Sequence, residues 1–109
     1  MSVRHLDHLF QPRSVAVIGA SDREHSLGAT LMHNLLAGGY AGPVWPVNPK
    51  HAVVAGQRAY AGVADLPEAP GLAVICTPAA TVPGLITELG QRGTRAAVVI
   101  SAGLSASAV

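Results

Sequence analysis

The stretch "SVAVIGASDREHSLG", Ser14 to Gly28, constrains the fold more than any other part of the chain. Val15, Ala16, Val17 and Ile18 are apolar and do not alternate with polar residues. A strand here is therefore buried on both faces, as in a parallel sheet covered by helices. Gly19 supplies a tight turn, and a small polar loop comes next. From about Ser26 to Ala37 the apolar residues take helical order, with Leu27, Leu31 and Leu35 in one i, i+4 row and Met32 and Leu36 beside it. Strand, glycine turn and helix start, in that order, form the opening with which many nucleotide-binding proteins hold phosphate.

The remaining elements continue the alternation. "VRHLDHLF" forms a short amphipathic helix ahead of the first strand, with Leu6, Leu9 and Phe10 on one face. Gly38-Gly39 ends the helix after the first strand with a left-handed cap conformation. "PVWPVNP" is a second strand whose prolines limit its ladder pairing, and a minor strand is expected around Ala59-Tyr60. Leu72 to Cys76 is the next buried strand. Thr81 caps a second long helix, with Pro83 in its first turn, Val82, Leu85, Ile86 and Leu89 facing inward, and Gly93 closing it. Ala96 to Ser101 is the last strand. Strands alternating with helices at this spacing predict right-handed crossovers and a Rossmann-like, doubly wound parallel α/β sheet. With 109 residues the chain is long enough for one domain. It stops soon after a buried strand, which suggests the first domain of a longer protein.

Composition narrows the partners. Half of the residues are apolar, 12% are charged and the net charge is +1, so nothing favours nucleic acid or an anionic membrane as partner. The one cysteine, Cys76, excludes an internal disulfide and suits a reducing compartment. No apolar run approaches the roughly 20 residues of a membrane helix, and "RHLDHLFQPR" is too polar for a secretory signal. A cytoplasmic location is expected.

In a doubly wound sheet ligands bind beyond the carboxyl ends of the strands. The four exits here are Gly19-Ala20-Ser21, Asn48-Pro49-Lys50, Thr77-Pro78-Ala79 and Ser101-Ala102-Gly103. All are small or turn-forming, and each carries a hydroxyl or an amide, so a ligand can approach the backbone closely. The first loop lacks the Gly-x-Gly-x-x-Gly of dinucleotide sites, since Gly28 is the first glycine after Gly19. It still offers backbone N–H groups and the Ser21 hydroxyl to an anion, and Gly28 permits close packing of the helix on the first strand. An NAD site expects an acid at the end of the second strand. Lys50, the only lysine of the chain, stands there instead and favours a further phosphate on the ribose, as in NADP or coenzyme A.

The motifs "SVAVIGAS", "GPVWPVNPK", "LAVICTPAATVP" and "RAAVVISAG" resemble, in this order, the amino-terminal coenzyme A-binding domain of the NDP-forming acyl-CoA synthetases. That group includes the ADP-forming acetyl-CoA synthetases and is related to the succinyl-CoA synthetase alpha subunit. The resemblance covers Leu6 to Leu104, and the same domain occurs in bacterial lysine acetyltransferases fused to a GNAT domain. It implies coenzyme A or acyl-CoA as ligand, and downstream ligase-like and ATP-grasp domains as partners in a parent acid–CoA ligase. It also implies that Ala20, Ser21 and Asp22 meet coenzyme A phosphate, that Lys50 neutralises phosphate, that Thr77, Pro78 and Ala79 lie along the nucleotide, and that Ser101, Ala102 and Gly103 adjoin the pantetheine arm; Gly19, Asn48 and Pro49, at the same strand exits, are expected cofactor contacts beside them. The first loop departs from the succinyl enzyme in being poorer in glycine. The alternatives are an NADP-binding oxidoreductase domain and a stand-alone coenzyme A-binding regulatory protein.

No catalytic residue is expected in this chain. The family's phosphorylated histidine belongs to a later domain, and His5, His8, His25, His33 and His51 match no such context. No metal site is expected either: His5 and His8 share a helical face without a third ligand. Cys76 has no histidine placed beside it by sequence and is expected to be a packed thiol. Tyr40 and Trp45 are expected to pack rather than to stack on a base.

Overall fold

The computed structural model describes residues 12–100 and the backbone of 107–108. The first helix expected from "VRHLDHLF" lies outside them, as do Ser101, Ala102 and Gly103. Four short strands carry the fold: β1 (Val15–Ile18), β2 (Val44–Val47), β5 (Leu72–Ile75) and β6 (Ala96–Val99). Between β2 and β5 lies a hairpin, β3 (Val53–Val54) with β4 (Gln57–Arg58), and β7 (Ser107–Ala108) comes after β6. The sheet order is β2-β1-β5-β6-β7, with the first four strands parallel and β7 antiparallel at the edge. The expected parallel sheet is thus present with one antiparallel edge strand.

Two helices cover the two faces: α1 (Leu27–Ala37) connects β1 to β2, and α2 (Val82–Arg92) connects β5 to β6. Val15 and Val17 face α1, packing with Met32, Val44, Leu72, Val74 and Ala96. Ala16 and Ile18 point the other way, to Leu89 of α2 and to Val63, Ala73, Ile75 and Ala97. Each strand therefore buries both faces, which is why the runs do not alternate. Ala16, Ala73 and Ala97 stand side by side in the ladder. This row of methyl groups leaves a trough in which Leu89, with 2% of its surface exposed, is seated.

Helix α1 begins where Ser26 caps it, the hydroxyl oxygen accepting from the Ala29 N–H at 3.1 Å. Gly28 is packed against the end of β1: a β-carbon there would lie 2.2 Å from the Gly19 carbonyl oxygen. Helix α1 ends at Gly38, and Gly39 takes the left-handed conformation with φ +87°. Helix α2 ends at Gly93 with φ +104°. Its start differs from expectation. Thr81 closes a short 3-10 turn (Ala79–Thr81), and its side chain makes no capping bond because its hydroxyl is turned back to the Pro78 carbonyl.

The minor strand expected at Ala59-Tyr60 is reduced to a single parallel bridge from Tyr60 to Val47. The pairing capacity there goes into the β3–β4 hairpin, whose Ala55-Gly56 turn has positive φ at both residues (52° and 75°). The bridge makes the outer edge of β2 useful. Pro46 has no N–H, but its carbonyl accepts from Tyr60, and the Asn48 N–H donates to the Tyr60 carbonyl. Strand β6 ends at Val99, although the Ile100 N–H still donates to the Ile75 carbonyl; Ser101, the expected end, lies outside the described residues.

Candidate functional site

β1 has a neighbour on each side, and the chain passes to β2 over one face and from β5 to β6 over the other. The strand order therefore reverses at β1 and β5, and a crevice opens beyond their carboxyl ends. The strands hold together one residue past their ends. The Gly19 N–H donates to the Val47 carbonyl at 3.1 Å and the Cys76 N–H to the Ile18 carbonyl at 2.8 Å. Gly19 makes the divergence possible. Its φ is +93°, and a β-carbon on it would lie 3.1 Å from the Cys76 carbonyl carbon and oxygen.

The cleft beyond has a volume of about 430 Å³. Its floor is Ile18, Gly19 and Val47, and its rims are Ala20 and Ser21 on one side, Asn48, Pro49 and Lys50 on another, and Thr77 on the third. Three of the four exits expected from sequence thus converge on one cavity; the fourth, Ser101 to Gly103, lies outside the described residues. Two further walls were not singled out as ligand contacts in the sequence. One is Ala61 to Ala64, running into a 3-10 turn (Val63–Asp65), and the other is the α2 face bearing Thr81, Leu85 and Glu88. The same helix fastens the opposite wall. The Arg92 guanidinium donates from one nitrogen to the Val63 carbonyl and from the other to the Leu66 carbonyl.

The hydrogen bonds assign different work to the expected residues. Asn48 is a brace: its amide nitrogen donates to the Ala20 carbonyl at 3.0 Å, and its oxygen accepts from the N–H groups of Lys50 and His51 at 2.7 and 3.2 Å. This ties the first loop to the exit of β2 and turns the chain so that Lys50 stands at the mouth. The Asp22 carboxylate accepts from the Ala55 N–H at 2.8 Å, which joins the first loop to the hairpin. Asp22 lines a second pocket with His33 and Leu36, not the first. Pro78 and Ala79 are exposed at the start of the 3-10 turn and do not line the cleft. The Ser21 oxygen accepts from the Arg23 N–H, leaving its proton to donate.

Charge at the cleft is sparse and separated. The one ion pair among the described residues joins exposed Glu24 and His25, so neither Lys50 nor Glu88 has an oppositely charged partner within 4.0 Å among those residues. Around Ala20 and Ser21 the backbone N–H groups donate to no protein acceptor among the described residues. The first loop and Lys50 are therefore the donor side of the cleft, suited to an anion. Cys76, behind Gly19, is half-buried, and burial pushes its thiol up to about 11, so it is not a thiolate near neutral pH. His25 and His51 are exposed and outside the cleft. Tyr40 and Trp45 pack against the two core clusters, as expected. No group of three metal-ligating side chains and no helix long and apolar enough to cross a membrane occurs among the described residues.

Comparison with known proteins agrees with this geometry. Residues 13–109 match the family model of the CoA binding domain. A trans-feruloyl-CoA synthase from an unknown prokaryotic organism is 46% identical over 104 residues, covering 95% of this chain and 15% of the relative. The ADP-forming acetate–CoA ligase I of Archaeoglobus fulgidus is 41% identical over the same shares of the two chains. The solved dinucleotide-forming acetyl-coenzyme A synthetase 1 of Candidatus Korarchaeum cryptofilum, in complex with phosphate and ADP, superposes with a TM-score of 0.84 at 38% identity. That superposition covers 91% of this chain and 21% of the other. The chain thus spans 15% of the length of each of these two curated relatives.

Proposed function

The chain belongs to the CoA binding domain family, and on that footing we propose that the cleft beyond β1 and β5 holds coenzyme A for a longer ADP-forming acyl-CoA ligase. The observation that carries this is the meeting of Gly19-Ala20-Ser21, Asn48-Pro49-Lys50 and Thr77 on one cavity, with a lysine where a dinucleotide site would place an acid. Gly19 lets the ligand reach the backbone. The N–H groups of Ala20 and Ser21, the Ser21 hydroxyl and the Lys50 ammonium then face its phosphates. The chain is the amino-terminal, ligand-holding part. The acyl-phosphate chemistry and its phosphorylated histidine belong to ligase-like and ATP-grasp domains outside it, in the cytoplasm. Ser101, Ala102 and Gly103 serve the pantetheine arm.

Calorimetric titration of the chain with coenzyme A, dephospho-coenzyme A, NAD and NADP tests this reading. Coenzyme A is expected to bind more tightly than any of the other three. Tighter binding of NADP than of coenzyme A would overturn it, since both carry a phosphate on the ribose and only the cleft decides between them.

A further inference from the structure

The α2 side of the cleft has the opposite chemistry to the Lys50 side. The Thr81 hydroxyl donates to the Pro78 carbonyl at 2.7 Å, and its oxygen lies 2.6 Å from the Thr77 hydroxyl oxygen. A hydroxyl has one proton and a carbonyl can only accept. The Thr81 proton is thus committed to Pro78, and the Thr77 proton to Thr81. What Thr77 turns to the cleft is a lone pair. Two turns further along α2, Glu88 adds a carboxylate with no cationic partner among the described residues within 4.0 Å. The polar side chains of this flank therefore offer acceptors only, and a phosphate placed against them would meet lone pairs and a negative charge.

The other lining residues here are apolar, Leu85 on α2 and Ala61, Val63 and Ala64 on the segment before and within the 3-10 turn. Its width is held by the Arg92 fork, which joins the helix bearing Leu85 and Glu88 to the carbonyls of Val63 and Leu66. A slot with two apolar walls and an acceptor at its edge suits a flat heteroaromatic ring with an exocyclic N–H.

We propose that Glu88 is a specificity-determining residue that reads the exocyclic amine of the adenine base, with the ring between Leu85 and the Ala61–Ala64 wall and the phosphates toward Lys50. This rests on the reading of the cleft as a coenzyme A site.

The test compares coenzyme A with its analogue carrying unsubstituted purine in place of adenine, titrated into the chain and into Glu88→Ala and Glu88→Gln. Glu88 is half-buried in mid-helix, and both replacements are good helix formers, so the fold is retained, as circular dichroism will verify. The unsubstituted chain is expected to prefer the amino base roughly fivefold or more, as an amine–carboxylate hydrogen bond in a partly desolvated slot allows. Glu88→Ala should bring the ratio near one, and Glu88→Gln, which keeps an acceptor oxygen, should retain part of it. Equal binding of the two ligands to the unsubstituted chain overturns the proposal. So does an unchanged ratio in Glu88→Ala, even if both affinities fall. Failure of coenzyme A itself to bind is a different result, which removes the coenzyme A reading and this proposal with it.

Discussion

Lys50 stands at the end of β2 with its main chain already fixed. Asn48 accepts from its N–H at 2.7 Å and holds the turn, so the side chain starts from a defined place although its ammonium is exposed. A lysine–phosphate contact is charge-assisted, worth on the order of 1.5–3 kcal/mol when partly desolvated and less when exposed. Lys50→Ala is therefore expected to weaken coenzyme A by up to about tenfold, about 1.4 kcal/mol per factor of ten. If the partner is the 3′-phosphate, dephospho-coenzyme A should be barely affected by the same change. If it is the diphosphate, both ligands should weaken together. Added salt should narrow the difference, because exposed charge pairs are screened. Unchanged affinities for both ligands at low salt would make Lys50 an ordinary surface residue.

At the scale of elements, the cleft depends on how the pieces are joined. The wall at Ala61 to Ala64 has little pairing of its own beyond a short 3-10 turn, and Arg92, at the end of α2, fastens it by two hydrogen bonds to backbone carbonyls. Replacing Arg92 with Met keeps the aliphatic stem but leaves the Val63 and Leu66 carbonyls without these donors. Unfolding by denaturant should show a loss of about 1–2 kcal/mol, at the lower end for hydrogen bonds to a charged group because Arg92 is only half-buried. Coenzyme A should weaken a few-fold alongside, since a looser wall must be ordered on binding. Lys has no planar fork and is expected to recover less than half of the loss. Arg92→Met with full stability would show the two bonds to be incidental.

For the whole molecule, periodicity and turn chemistry made much of the fold legible in the sequence. The unalternating runs at Val15–Ile18 and Leu72–Ile75 announced burial on both faces, and the alternation with helices implied the crossovers. Glycines with a geometric duty were also legible, since a β-carbon at Gly28 would collide with the Gly19 carbonyl, as close packing implies. The lining of the cleft was legible where residues of distinctive chemistry sit at strand exits. Ala61 to Ala64 offer neither charge nor hydroxyl, and Glu88 and Arg92 look like ordinary helix residues until the fold brings them against that wall. The β3–β4 hairpin escaped because its turn is Ala55-Gly56, without the Asn or Asp that usually marks such turns. Thr81 misled for a related reason: capping residues also bond backward to nearby carbonyls, and here the Pro78 carbonyl won. Asp22 looked like a ligand contact by position, yet its carboxylate serves the hairpin.

The central claim is a place as much as a ligand: coenzyme A in the crevice where the strand order reverses. Backbone amide chemical shifts measured by NMR during a coenzyme A titration test that place directly. The amides of Gly19, Ala20, Ser21, Lys50, Gly62, Val63 and Thr77 are expected to shift together along one saturating curve, while those of Ala29, His33, Leu36 and Ala37 around the second pocket stay nearly still. Saturating shifts confined to the second pocket, or no shift at the three strand exits at ligand concentrations that saturate binding by calorimetry, would contradict it.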